Sequence, residues 1–219
     1  HYLDLEMGRM HYVDEGSGAP IFMVHGNPTW SFLYRHLIKR LSPEYRCVAP
    51  DHIGFGLSSK PPGWSYRPRE HARNLAALID GLGLSDVTFV VQDWGGPTGL
   101  SFAIEHPDRV RGVVILNTWM WPVNSDWYYI AFSRMVGGAP GRFLIRRMNF
   151  FARVVMPKAY GDSRRLTPRI HEHYLRPLGT PEERKGSAVF PGEILNSTPW
   201  LGELWDRRGA LRDKPALIA

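Results

Sequence analysis

Apolar and polar positions fall into blocks along this chain, and the period of the blocks switches in a regular order. Tyr2 to Leu5 and Arg9 to Asp14 alternate weakly and predict two early strands, followed by the turn-rich Glu15-Gly16-Ser17-Gly18-Ala19-Pro20. Ile21-Phe22-Met23-Val24 and Tyr45 to Ala49 are short apolar runs, the pattern of strands covered on both faces. Between them Phe32, Leu33, His36, Leu37 and Leu41 recur at helical spacing, and Asp51 to Pro62, with its glycines, serines and prolines, reads as a loop. Ala72, Leu75, Ala76, Leu78, Ile79 and Leu82 trace an amphipathic helix closed by Gly83. A strand over 87–91, a helix from Thr98 to His106 stopped by Pro107, and a strand over 110–116 complete the series. Strands and helices alternating at this spacing predict an α/β fold, a mostly parallel sheet flanked by helices. Ligands of such sheets bind beyond the carboxyl ends of the strands. The tips to watch are therefore His25-Gly26-Asn27-Pro28, Asp51-His52, Asp93-Trp94 and Asn117-Thr118.

After Thr118 the alternation stops. Residues 119–212 are aromatic-rich and helical in pattern, with Trp119, Trp121, Trp127, Tyr128, Tyr129, Phe132, Phe143, Phe150 and Phe151. A helical cap over the strand tips, enclosing an apolar pocket, is expected here; an unrelated helical domain with its own core is the alternative. Lys214 to Ala219 reads as the first half of one more core strand. The expected organisation is thus a core over 1–118, a cap over 119–212 and the start of a returning strand over 213–219.

Composition narrows this little. With 43% hydrophobic and 22% charged residues in 219, the chain has the make-up of an ordinary globular protein. The net charge of +6 comes from scattered basic residues. The densest group, Arg142, Arg146, Arg147 and Arg153, is interleaved with Phe143, Leu144, Ile145 and Met148, and reads as a solvated helix face rather than a nucleic-acid site. The single cysteine, Cys47, lies in a strand pattern and fits a reducing, cytoplasmic setting. No apolar run is long enough to span a bilayer, and neither membrane nor nucleic acid is an expected partner.

The chemistry concentrates in Val91-Gln92-Asp93-Trp94-Gly95-Gly96. A strand, a sharp turn of small residues and a helix make the layout of a nucleophile elbow, with Asp93 at the tip. A carboxylate nucleophile forms an ester intermediate, which suits displacement at saturated carbon. An aspartate that only hydrogen-bonds its own turn is the plainer alternative. Trp94 adds an indole N–H that donates and cannot accept, and Asn27, on a neighbouring strand tip, adds an amide N–H₂. Alone, Trp94 could be a core aromatic and Asn27 a turn residue. Together with Asp93 they form a carboxylate facing two neutral donors, arranged to expel and hold a weakly hydrated anion such as halide.

Three stretches carry a family resemblance: His25-Gly26-Asn27-Pro28-Thr29-Trp30-Ser31, Asp51-His52-Ile53-Gly54-Phe55-Gly56-Leu57-Ser58, and Gln92-Asp93-Trp94-Gly95-Gly96. They look like the haloalkane dehalogenases of the α/β-hydrolase fold, and the likeness extends over nearly the whole chain, aromatic cap included. The His-Gly-x-Pro loop and the Asp elbow are shared with epoxide hydrolases; Asn27 paired with Trp94 is the more specific signature. The resemblance implies that Asp93 attacks the halogen-bearing carbon in an SN2 step while Trp94 and Asn27 hold the leaving halide. A histidine then activates water to hydrolyse the ester, and the backbone N–H groups of Trp94 and Asn27 stabilise the oxyanion. A small halogenated alkane, water and halide are the implied partners, with a primary alcohol as product and no metal or organic cofactor. Epoxide hydrolases use two cap tyrosines instead, so Tyr128, Tyr129, Tyr160 and Tyr174 keep that alternative open. An inactive relative that holds a hydrophobic ligand is a third.

One part of the pattern is missing. The mechanism needs a base histidine and an acid to orient it. The strand after the elbow ends Leu116-Asn117-Thr118-Trp119, without Asp or Glu. In the subgroup this chain resembles, the acid follows the next strand and the histidine comes later still, so both are expected beyond Ala219, with the chain as written a segment of a longer enzyme. His25 is expected to brace its loop, and His52, His71, His106, His171 and His173 are not positioned as replacements. The residues in hand could alkylate Asp93 once and stall at the ester.

Overall fold

A computed structural model describes residues 1–219. Seven strands form one sheet: β1 (Tyr2–Leu5), β2 (Gly8–Glu15), β3 (Pro20–Val24), β4 (Arg46–Pro50), β5 (Val87–Asp93), β6 (Val110–Thr118) and β7 (Ala216–Ile218), in the order β1-β2-β4-β3-β5-β6-β7. The first two pair antiparallel and β2 pairs antiparallel with β4; every later pairing is parallel. This is the mostly parallel, helix-flanked sheet expected from the alternation of elements, and it agrees with the α/β-hydrolase architecture that the resemblance implies.

Strand periodicity sorts the core into two layers. Phe22, Val24, Val48, Val87, Phe89 and Val91 face one side, where they pack with Leu75, Leu78 and Ile79 of α2 (Pro68–Gly81) and with Leu100, Phe102 and Ala103 of α3 (Gly95–Glu105). Their neighbours Ile21, Met23, Cys47, Ala49 and Val90 point the other way, onto Tyr34 and onto Ile38 of α1 (Arg35–Leu41). Successive strand side chains alternate in direction, so continuous apolar runs are what a doubly covered sheet requires. The strands run one or two residues past or short of the periodicity, β5 to Asp93 and β6 to Thr118, and two helix starts differ as well. A 3-10 turn, Ser31–Tyr34, precedes α1, and α3 begins at Gly95, directly after the elbow, rather than at Thr98.

Between β6 and β7 run six α-helices, α4 (Trp127–Gly137), α5 (Ala139–Met148), α6 (Met156–Ala159), α7 (Pro168–Leu175), α8 (Lys185–Asn196) and α9 (Thr198–Arg207), with a π-helical turn over Phe151–Val155. Part of their interior is shared with the core: Phe190, Ile194, Trp200, Leu201 and Leu204 join one apolar cluster with Phe55, Ala72, Trp94 and Ile104. The cap therefore closes over the ends of β3 and β5. No helix is long and apolar enough to cross a membrane.

Candidate active site

Asp93 ends β5 with φ +52°, a left-handed backbone that a non-glycine residue adopts only under constraint. Two features hold it there. The Thr118 hydroxyl donates to the Asp93 carbonyl, and α3 starts within two residues. The close approach needs glycine on both sides: a Cβ on Gly95 would collide with the Val24 carbonyl, and one on Gly26 with the Asp93 carboxylate. The sequence layout of an elbow is thus realised, with the carboxylate directed at the loop after β3.

That loop meets it with a hydrogen bond. The backbone N–H of Asn27 donates to Asp93 Oδ1 at 2.7 Å. Burial pushes the Asp93 carboxyl up to about 6, against the opposing pull of the Trp94 and Asn27 backbone N–H groups. Asp93 forms part of the lining of a cavity of about 370 Å³ with Asn27, Gln92, Trp94 and Trp119. Tyr128, Tyr129, Phe132, Phe151, Pro191 and Ile194 of the cap close it.

All three residues singled out in the sequence thus converge on one cavity. Trp94 is buried, edge-on to Trp119 with ring centroids 4.8 Å apart, and Phe190 lies 5.3 Å away. The Asn27 side chain has a partner that sequence alone does not suggest: Nδ2 donates to the carbonyl of Ser187 at 3.2 Å. This follows from Pro191 inside α8. Proline has no N–H, so the carbonyl four residues earlier, that of Ser187, loses its helical partner and is free to accept from Asn27. One amide hydrogen of Asn27 is used this way, and the other remains for a ligand. Three further polar atoms of the lining are buried without partners: Asn27 Oδ1, Gln92 Oε1 and Trp119 Nε1.

None of the nine histidines lines the cavity. His25 braces its own loop: Nδ1 pairs with the Gly26 carbonyl at 2.8 Å, and Nε2 accepts the His52 backbone N–H at 2.9 Å. His52 returns a contact to the His25 carbonyl at 3.1 Å, and its ring lies 4.9 Å from that of His71. Burial lowers the proton affinity of all three imidazoles, His71 to about 3. Asp51 braces the same region, accepting from the Ser31 and Leu57 backbones and from His11 Nδ1 at 2.8–2.9 Å. Burial acts to raise its carboxyl, but the His11 hydrogen bond and the nearby imidazoles outweigh burial and hold it below the ordinary range. His171 and His173 are engaged by cap and loop groups, the Ala152 carbonyl and the Phe32 ring. No trio of His, Cys, Asp or Glu is assembled that could hold a metal ion.

Residues 19–141 match the alpha/beta hydrolase fold family. The chain is 44% identical to haloalkane dehalogenase 2 of Mycobacterium tuberculosis, over 99% of this chain and 75% of that protein. It is also 34% identical to a cis-3-alkyl-4-alkyloxetan-2-one decarboxylase of Xanthomonas campestris, over 99% of this chain and 77% of that enzyme. Among solved structures, the haloalkane dehalogenase DatA from Agrobacterium tumefaciens superposes with a TM-score of 0.88 at 31% identity, over all of this chain and 77% of that one. By fold, by sequence and by the three stretches around Asn27, Asp51 and Asp93, this chain belongs to the haloalkane dehalogenase family of α/β-hydrolases.

Proposed function

We propose that the protein dehalogenates small haloalkanes, with Asp93 as nucleophile and with Trp94 and Asn27 as halide donors. The observation that carries this reading is the Asp93 carboxylate, constrained at positive φ and tethered by the Asn27 N–H, in an apolar cavity it shares with both donors. In the first step an Asp93 oxygen bonds to the substrate carbon, the carbon–halogen bond breaks, and halide leaves toward the Trp94 indole and the free Asn27 amide hydrogen. Neutral donors suit this task, because they stabilise charge that appears only as the halide departs. Water then adds to the ester carbonyl, with the oxyanion at the backbone N–H groups of Asn27 and Trp94. The alcohol departs and a proton is released. The cavity lining supports the alkylation step; the hydrolytic step needs a general base that none of the nine histidines of this chain supplies in the geometry described.

Two other readings have specific support. The 34% identity to an oxetanone decarboxylase favours an alkyl β-lactone as an alternative electrophile in the same cavity. Tyr128 and Tyr129 line the cavity and keep an epoxide reading open, but they are consecutive on α4 with rings at 82°, which disfavours both hydroxyls converging on one oxygen. The experiment is bromide release from 1,2-dibromoethane by the purified protein, with intact-mass analysis of the product. Release of bromide together with a bromoethyl adduct on Asp93, both lost in Asp93→Ala, supports the proposal. Turnover of an alkyl β-lactone or an epoxide without any bromide release would overturn it.

A further inference from the structure

The cap carries the charge of the molecule. Residues 119–212 hold fifteen Lys and Arg against eight Asp and Glu, a surplus larger than the net +6 of the whole chain. Within it, Trp127 to Gly161 contains no acidic residue and six basic ones: Arg134, Arg142, Arg146, Arg147, Arg153 and Lys158. None of the six takes part in an ion pair. A solvated helix face accounts for the arginines. It does not account for their neighbours: Trp127 is 77% exposed, Met135 70%, Phe143 61% and Met148 60%. Large apolar side chains standing in water beside unpaired cations mark an interaction site.

The local folding explains how both kinds of residue reach the surface. On α5 only Gly141 and Ile145 are buried, so nearly the whole circumference faces out, with Phe143, Leu144 and Met148 interleaved among Arg142, Arg146 and Arg147. On α4 only Ser133 and Gly137 are buried, the latter against Gly192 of α8. The two helices are consecutive, joined at Gly138, and together make one apolar and basic surface.

We propose that the α4–α5 surface docks on an anionic lipid bilayer, with the arginines at the headgroups and Trp127, Phe143 and Met148 in the interfacial layer. A helix that mixes basic residues with Trp, Phe and Leu, and lacks acids, has the composition of an in-plane interfacial segment. Each basic residue near an anionic leaflet adds attraction. A second copy of this chain is a poorer occupant, since two acid-free basic faces repel. A nucleic acid would use the arginines and leave Met135, Leu144 and Met148 in water. The surface reaches the rim of the active-site cavity, because Tyr128 and Tyr129 are exposed and also line it. On the function proposed above, which this last step rests on, the cavity mouth would open where apolar halogenated substrates concentrate.

The test is co-flotation of the full-length protein with vesicles of phosphatidylcholine alone or with about a third phosphatidylserine. Binding is expected only to the anionic vesicles, with a blue shift in tryptophan emission that Trp127→Phe diminishes. Arg146→Ala and Arg147→Ala should each weaken binding about fivefold, and Phe143→Ser with Met148→Ser should abolish it with unchanged circular dichroism. None of these residues lines the cavity, and the assay needs no turnover, so its outcome is independent of the dehalogenase reading. Failure to float with anionic vesicles at low salt would overturn the proposal. So would binding that survives Phe143→Ser with Met148→Ser, or arginine-dependent binding to single-stranded RNA with no lipid binding.

Discussion

Asn27 and Asp93 are joined at 2.7 Å by a backbone N–H on a carboxylate oxygen, across the ends of two adjacent parallel strands. The contact fixes the direction of the carboxylate. With the Trp94 N–H it also opposes the effect of burial, which raises the carboxyl. The balance leaves the carboxyl at about 6 instead of 3.8.

Two consequences of that value can be measured. Alkylation requires the ionised form, so single-turnover bromide release should rise with pH through about 6 and level off above it. Stability should run the opposite way. The folded state holds the Asp93 proton more tightly than the unfolded state, so this group weakens folding as pH rises from about 4 to about 6. Asp93→Asn should therefore raise Tm by several degrees at neutral pH, a gain of at most about 3 kcal/mol, and give almost none at pH values below the ordinary carboxylate range. Thermal unfolding at both pH values checks this. A gain independent of pH would mean that repacking, not charge burial, is responsible.

The proposed halide donors can be tested through their N–H groups. Trp94→Phe keeps an aromatic ring against Trp119 and Phe190 but deletes the indole N–H together with part of the buried ring bulk. Bromide affinity should fall about tenfold, the value of one hydrogen bond to an ion, with Tm lowered by the volume lost. Bromide quenching of tryptophan fluorescence, compared between the two proteins, reads this directly.

Much of this site was legible in the sequence because it rests on local spacing. The strand–turn–helix pattern gives the elbow, and residues 93 and 94 are neighbours. Asn27 could be assigned to the same end of the sheet because β3 and β5 are both short apolar runs. What periodicity could not show is which cap residues face inward, since α4 and α8 are too evenly apolar to name a buried face. Nor could it show the Asn27–Ser187 contact, which joins residues 160 positions apart. The signal was present as a proline inside a helical run, but Pro191 only reveals which carbonyl is released, not what receives it.

That contact carries its own prediction. In Pro191→Ala an N–H returns to position 191, and the Ser187 carbonyl can rejoin the helical ladder. Asn27 then loses the acceptor that orients its amide. Bromide affinity should fall several-fold although Asn27 and Trp94 are intact, while α8 gains a helix-favouring residue. Bromide titration beside thermal unfolding distinguishes the cases: a loss of affinity without loss of stability supports the positioning role, and unchanged affinity refutes it.

The last prediction concerns acid. His25, His52 and His71 pack in a buried row, tilted and edge to face, and neither ring nitrogen of His71 has a well-formed hydrogen-bond partner. Burial holds the His71 ring at about 3, far below its ordinary 6.5. The unfolded chain binds that proton more readily, so the stability from His71 is full above about 6.5 and is lost as pH falls toward about 3. At about pH 5 the loss from this residue alone is about 2 kcal/mol. Asp93 pulls in the opposite sense below about 6, which partly masks the effect. The experiment is therefore best done on His71→Phe in the Asp93→Asn background, following Tm against pH. The change of stability between about pH 7 and about pH 5 should be smaller in the double variant than in Asp93→Asn alone. Because this reads a slope, any cost of fitting the larger ring against Phe190 and Trp64 cancels. Equal slopes would show that His71 keeps its ordinary proton affinity in the folded protein.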